Sequence, residues 1–156
     1  NKDMESEYDF IFNSMPIDEY FDYHHGKLPY RSIKFHTVDI PAPKLLPVAC
    51  VNFTHDGPYT RITEWKHIPN CPEQNEKFTT LTYEEPCDYE DNHMERYYPV
   101  KDINGSNREI YKKYRDMTPR NMQFIGRCGM YVYIDMHQAI SSSLATAKKF
   151  LNSYTD

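Results

Sequence analysis

The chain has 156 residues, which suits one domain of ordinary size, and its 39% of apolar residues is enough for a core. Its formal net charge of −5 argues against nucleic acid as a partner, because phosphate binding needs a basic field. There is no signal peptide or long apolar run, and the four cysteines include no CxxC pair, so we expect a cytoplasmic chain with no membrane insertion, no metal site and reduced thiols.

Between the turn residues, apolar and polar side chains alternate with a period of two, which predicts strands along much of the chain. The predicted strands are Tyr8–Phe12, Tyr30–Phe35, Val48–Phe53, Tyr59–Trp65, Phe78–Tyr83, Tyr97–Val100 and Asn121–Ile125. The turn His55–Pro58 predicts that the third and fourth of these form an antiparallel hairpin. Alternation in the fourth strand places Arg61 on one face and Ile62 and Glu64 on the other. Residues 84–96 are predicted to be a charged connector, with its glutamates in an acidic loop.

Helical signals are fewer. Ile17–Tyr23 predicts one or two turns that end by Gly26, and Asn107–Met117 predicts a longer helix. From Asp135 onward, apolar residues recur at spacings of three and four, which is typical of an amphipathic helix. The sum is an α+β fold, mostly antiparallel, with a C-terminal amphipathic helix.

The stretch FIGRCGMYVYIDMHQAI, residues 124–140, combines features of a ligand site at a strand-to-helix junction. Asp135 lies where a helix N-cap belongs, and the two glycines allow another backbone or a flat ligand to approach closely. Arg127 offers a planar donor fork suited to phosphate or carboxylate. The same residues also suit an ordinary N-cap and a structural arginine, so physics alone leaves both interpretations open.

Several motifs resemble the UDP-galactopyranose mutase family, in the family's order. GRCGMYVYIDMHQAI resembles its C-terminal signature, and three further segments follow the same pattern: PIDEYFDYHHGKLPYRSIKF (16–35), VNFTHDGPYTRITEWKH (51–67) and ERYYPV (95–100). The similarity runs from about Tyr8 to Tyr154. The family's G-x-G-x-x-G flavin segment and helical domain have no counterpart here, and the chain also begins without Met, so we expect the C-terminal portion of a longer enzyme.

The resemblance implies an isomerase that interconverts UDP-galactopyranose and UDP-galactofuranose through a flavin N5–sugar adduct, in glycan or cell-wall biosynthesis. The cofactor implied is reduced FAD, held mostly by the missing N-terminal region, so that this portion alone would be inactive. Residues 1–120 would form the substrate- and flavin-facing sheet domain, and residues 121–156 the last strand and helix of the FAD-binding domain. The family also allows a homodimer of the full-length form.

Carried over position by position, the resemblance implies roles for individual residues. Arg61, Tyr133 and Arg127 would be catalytic; the substrate would contact Asn52, Arg61, Tyr98, Tyr133 and Glu84; the flavin would contact Arg127, Asp135 and Met136. Each has a simpler alternative. Arg61 would pair with Glu64 or Glu85 at the surface, Asn52 would bond an edge backbone, and Tyr97 and Tyr98 would belong to an ordinary half-buried strand. Tyr97 also competes with Tyr98 for the phosphate-donor role.

Two other functions stay open. One is a non-catalytic module that holds a nucleotide sugar or a partner protein, and the other is a different flavoenzyme of the same superfamily. The converging arginines and tyrosines favour an enzyme over a scaffold, because a scaffold needs no such donors.

Overall fold

The computed structural model describes residues 2–70 and 76–154 and has an α+β fold, as the sequence predicts. Its strands are β1 (Ile11–Asn13), β2 (Tyr30–Ile40), β3 (Cys50–Asn52), β4 (Arg61–Glu64), β5 (Thr79–Asp88), β6 (Tyr98–Pro99) and β7 (Met122–Phe124). Its helices are α1 (Ile17–Tyr20), α2 (Ser106–Met117), α3 (Gly126–Gly129) and α4 (Met136–Tyr154), with 3₁₀ turns at Lys2–Glu7 and Trp65–His67. In this part of the chain, no helix combines the length and apolar character needed to cross a bilayer.

The described chain divides into two compact units. Unit 1 comprises residues 1–30 and 98–156, and unit 2 comprises residues 31–97. The boundary predicted after residue 120 concerns domains of a longer protein and stays a prediction. The two prolines of Ile68–Glu76 predict a loop there, but this segment falls largely on residues 71–75, which lie outside the described residues.

Unit 2 is built on an antiparallel sheet in which β3, β4, β5 and β2 lie side by side. The predicted hairpin is confirmed, since Cys50 pairs with Thr63 and Asn52 pairs with Arg61. The predicted alternation of β4 is also confirmed: Ile62 and Glu64 are buried, whereas Arg61 is exposed.

The prediction of an acidic loop at Glu84 is wrong. β5 runs on to Asp88, and Glu84 and Glu85 lie inside it, paired with Phe35 and Lys34 of β2. β2 is correspondingly longer than predicted and ends at Ile40, before Pro41. The acidic side chains gave no strand signal in the sequence, because strand propensity depends more on packing and cross-strand partners than on residue type.

A buried carboxylate ties the proline-containing loop 41–47 to β4. The Glu64 side chain is fully buried and accepts hydrogen bonds from the backbone N–H groups of Leu45 and Leu46 and from the Thr79 hydroxyl. His67 Nε2 lies 3.3 Å from this carboxylate and 2.8 Å from the Leu46 carbonyl oxygen. A buried charge is tolerated only when it is paired and hydrogen-bonded in this way.

Unit 1 holds a parallel pair, in which Ile11 of β1 pairs with Met122 of β7. Tyr114 of α2 is fully buried, and its hydroxyl donates to the Gly26 carbonyl oxygen while accepting from the His25 N–H. Helix α4 packs through Phe150 against β1, whose Phe12 ring centroid lies 5.3 Å away. The apolar residues that recur at spacings of three and four along α4 are mostly exposed in this chain: Met136, Ile140, Leu144 and Leu151.

We predict that Glu64→Gln lowers the free energy of unfolding and weakens its dependence on acid. Burial raises the pKa of the Glu64 carboxyl, but hydrogen bonds from Thr79, Leu46 and Leu45 and the nearby His67 together bring that pKa below its ordinary value of 4.5. Because the folded pKa lies below the unfolded one, the stabilisation is present above pH 4.5 and is lost as pH falls through the folded pKa. The loss at neutral pH should be about 1–3 kcal/mol.

Urea unfolding at about pH 7 and about pH 3.5 measures both effects. Glu95→Gln is the matched control, because Glu95 is exposed in the same unit. Equal stabilities and equal acid dependence for the two variants would contradict this role of Glu64.

Candidate functional site

The candidate residues of unit 2 form one transverse row on the sheet. The registers place Asn52 of β3 opposite Arg61 of β4, Arg61 opposite Glu84 of β5, and Glu84 opposite Phe35 of β2. Residues directly opposite one another across antiparallel strands share a face of the sheet. Sequence reasoning named Asn52, Arg61 and Glu84; it missed Phe35, because the β2–β5 register has no signal in the sequence alone.

Arg61 is the centre of this row. Its Nε donates to Asn52 Oδ1 at 3.0 Å, and one terminal nitrogen lies 3.6 Å from Glu84 Oε1. The second distance is a charge contact and too long for a good hydrogen bond. The Arg61 side chain is 45% exposed, and its terminal nitrogens donate no hydrogen bond to a described residue. The partners expected for a structural arginine, Glu64 and Glu85, are not the ones found: Glu64 holds the loop 41–47, and Glu85 contacts His36 Nε2 at 2.6 Å.

The second cluster, in unit 1, is formed by tyrosines around the turn that follows α3. The Tyr98 and Tyr133 rings meet edge to face, with centroids 5.3 Å apart. The Tyr133 side chain is highly exposed, and its hydroxyl makes no hydrogen bond to a described residue. Such a hydroxyl can donate to a ligand at no cost to the fold.

The turn that carries Tyr133 has a strained and hydrogen-bonded backbone. Tyr131 has a φ of 46°, in the left-handed region, and its hydroxyl donates to the Pro29 carbonyl oxygen at 2.9 Å. A residue of this size holds such a conformation only where its surroundings fix it, and strain of this kind is concentrated at functional sites. Arg127 closes the same turn, because its Nε donates to the Ile134 carbonyl oxygen at 3.0 Å.

The glycines of this stretch serve backbone packing. A Cβ on Gly129 would lie 3.1 Å from the Asn13 carbonyl oxygen and 3.3 Å from that of Met15, so β1 and the turn after it approach α3 closely. This close approach was expected for a backbone or a flat ligand, and the structure places backbone there. Gly126 has a φ of 73°, which favours glycine.

Asp135 and Met136 form the start of helix α4. The Asp135 carbonyl oxygen accepts the Ala139 N–H, and the Asp135 N–H donates to Gln138 Oε1 at 2.8 Å, so the cap uses the glutamine side chain. The expected cap through the Asp135 carboxylate is absent among the described residues, and that carboxylate is exposed. The first N–H groups of a helix have no intrahelical partner, so this end of α4 suits an electron-rich ring edge or carbonyl group. The residues present therefore fit a flavin.

A cavity of about 810 Å³ opens beside the tyrosine cluster, within unit 1. Its walls come from the segment after β6, from α2 and from the turn after α3. The lining residues are Tyr98, Pro99, Val100, Lys101, Asp102, Gly105, Arg108, Tyr111, Met130, Tyr131, Val132 and Tyr133. Burial raises the pKa of the Tyr111 hydroxyl, and the nearby Arg115 opposes this shift, so that phenol stays protonated at neutral pH. Among described residues, no group of three His, Cys, Asp or Glu side chains could hold a metal ion.

Comparison with known proteins identifies the family of this chain. The family model described as UDP-galactopyranose mutase matches residues 1–133, which include Asn52, Arg61, Glu84, Tyr98, Arg127 and Tyr133. The chain therefore belongs to the UDP-galactopyranose mutase family.

Individual relatives agree with this assignment. The chain is similar to a probable UDP-galactopyranose mutase from Klebsiella pneumoniae, with 31% identity over 150 residues, covering 94% of this chain and 38% of the relative. It is also similar to a dTDP-fucopyranose mutase from Escherichia coli, with 31% identity over 153 residues, covering 93% of this chain and 38% of the relative. A UDP-galactopyranose mutase from Mycoplasma pneumoniae is 30% identical over 140 residues, covering 86% and 34%. The chain thus spans less than two fifths of the length of these relatives.

We predict that Arg61→Ala changes the free energy of unfolding by less than about 1 kcal/mol, because exposed ion pairs contribute little. Its neighbour on the buried face provides the contrast: Ile62→Ala should cost about 2–5 kcal/mol through the cavity it leaves. Urea unfolding of the two variants measures the difference. A large loss of stability in Arg61→Ala would mean that the arginine is a structural residue of the sheet.

Proposed function

We propose that this chain is the C-terminal portion of a flavin-dependent mutase that interconverts UDP-galactopyranose and UDP-galactofuranose. The observation that carries the proposal is that both clusters, the Arg61 row and the Tyr98–Tyr133 pair, fall within the residues matched by the family model. Both present hydrogen-bond donors on exposed surfaces, as a nucleotide-sugar site requires.

The reaction makes and breaks the bond between the sugar's anomeric carbon and the diphosphate. When that bond breaks, negative charge grows on the diphosphate, so placed cations and hydroxyl donors lower the barrier. Arg61 would supply a cation, because Asn52 occupies its Nε and leaves the terminal nitrogens for the ligand. Tyr98 and Tyr133 would supply neutral donors, and Glu84 would hold the guanidinium in place.

Reduced FAD would supply the nucleophile that holds the sugar while UDP is released. In this chain we assign flavin contacts to Arg127, Asp135 and Met136, at the turn and at the exposed start of α4. Arg127 would also hold the turn that carries Tyr133. Most of the flavin contacts would come from a Gly-rich segment elsewhere in the longer protein, so this portion alone should be inactive.

The exposed stripe of α4 supports that arrangement. Met136, Ile140, Leu144 and Leu151 recur at helical spacing and are all more than half exposed. We propose that residues 121–156 complete the FAD-binding domain, with residues 1–120 forming the substrate- and flavin-facing domain. The enzyme would act in the cytoplasm on soluble UDP-galactose, and the full-length form would be able to pair as a homodimer.

A second candidate function is the same ring interconversion on another nucleotide sugar. It is favoured by the 31% identity to the dTDP-fucopyranose mutase, which equals the identity to the Klebsiella protein. Uracil and thymine differ by one methyl group, ribose and deoxyribose by one hydroxyl, and galactose and fucose by another hydroxyl, so few contacts separate the two substrates.

The full-length product of the gene tests the proposal. We expect a yellow protein that, once its flavin is reduced, converts UDP-galactofuranose into UDP-galactopyranose, with Arg61→Ala slowing turnover by about 100-fold or more. Turnover of dTDP-fucofuranose but not of UDP-galactofuranose would select the second candidate. A colourless protein that binds UDP without turnover would instead indicate a binding module.

Tyrosine variants test the phosphate donors. We expect Tyr133→Phe and Tyr98→Phe each to lower kcat/KM by about 10- to 150-fold, as removal of a hydrogen bond to a charged group does. Tyr97→Phe is the matched control and should leave the rate unchanged, because Tyr97 does not line the cavity beside Tyr98 and Tyr133. A loss in Tyr97→Phe with none in Tyr98→Phe would assign the donor role to Tyr97.

A further inference from the structure

The cavity of unit 1 is lined by two cationic side chains that have no assigned role in the mutase reaction. Lys101 follows β6, and Arg108 lies in the first turn of α2; both are exposed side chains on the wall that also carries Tyr98 and Tyr133. Neither makes an ion pair with a described residue. This contrasts with Lys112 and Arg115 of the same helix, which pair with Glu109 and Asp116.

The acidic residue in the wall does not neutralise them through a direct ion pair. Asp102 is half-buried, and its Oδ2 accepts the backbone N–H of Arg108 at 2.9 Å, which fixes the start of α2. The formal charge of the lining side chains is therefore +1, in a chain whose formal net charge is −5. Local positive charge on an acidic protein attracts anions, and low ionic strength strengthens the effect.

The rest of the wall suits an aromatic or sugar ring attached to such an anion. Tyr111 and Tyr131 are stacked with centroids 6.3 Å apart, and Val100, Met130 and Val132 supply apolar surface. The volume of about 810 Å³ is within the range of small-molecule sites. A nucleoside diphosphate has this combination of flat rings and negative charge.

We propose that Lys101 and Arg108 make this cavity a phosphate-binding subsite, which contributes affinity for the diphosphate of the nucleotide sugar beside Tyr98 and Tyr133. The inference rests on the proposed function for the identity of the ligand. Lys101 and Arg108 act by charge and would bind phosphate rather than take part in the chemical step. The phenol groups supply directed hydrogen bonds, and the two cations supply the electrostatic attraction that neutral donors lack.

Calorimetric titration of the full-length gene product with inorganic pyrophosphate, UDP and uridine tests the subsite. The variant combines Lys101→Ala with Arg108→Ala, and the matched control combines Lys113→Ala with Arg120→Ala, which removes one exposed lysine and one exposed arginine outside the cavity. We expect the test variant to bind pyrophosphate and UDP about 10-fold more weakly than the control, with uridine binding unchanged. Its affinity should also fall less steeply with added salt.

A charge-retaining variant, Lys101→Arg with Arg108→Lys, should restore most of the binding, which separates charge from folding. Equal dissociation constants for the test and control variants would overturn the inference, as would a wild-type protein that binds neither pyrophosphate nor UDP. Turnover decides the proposed function separately. If the wild-type protein turns over its substrate but the test variant keeps its affinity for phosphate, only the subsite is refuted. If the wild-type protein is inactive but the test variant loses phosphate affinity as expected, only the subsite is supported.

Discussion

The register of β4 between β3 and β5 is the constraint on which unit 2 depends. With Asn52 opposite Arg61 and Arg61 opposite Glu84, the period of two sends Ile62 and Glu64 to the buried side of the strand. A slip by one residue would bury the guanidinium and expose the carboxylate that holds Leu45 and Leu46. The same pairing therefore sets the core and the polar row, and neither can change without the other.

Much of the architecture follows from local pattern. The hairpin of β3 and β4, the helix α2 and the helix α4 all have strong periodic signals, and the structure has them within a few residues of the predicted bounds. The acidic half of β5 does not have such a signal, because Glu84 and Glu85 look like loop residues until their partners on β2 are known. The short helix α3 was also missed, since two glycines in four residues give no helical pattern.

The sequence indicated which residues are candidates for the site, but it did not indicate how these residues group in space. Motif order indicates Arg61, Tyr98 and Tyr133, but only the strand register and the ring contacts assign Arg61 to a row on the sheet and the two tyrosines to a pair. Asp135 lies at the predicted start of α4, but the capping contact differs from the expected one: its backbone N–H donates to the Gln138 side chain. Lys101 and Arg108 belong to no sequence motif, and only the structure shows that both line the same cavity.

The discontinuity of unit 1 has a consequence for how the protein is made. Unit 2 is one continuous segment, residues 31–97, so its sheet can form while the ribosome is still adding residues. Unit 1 forms later, because β1 pairs with β7, and Phe10 and Phe12 contact Phe150, which lies more than 130 residues further along the sequence. Until then β1 has an unpaired edge and exposed aromatic rings, so this segment is open to non-native strand pairing while residues 98–150 are being synthesised.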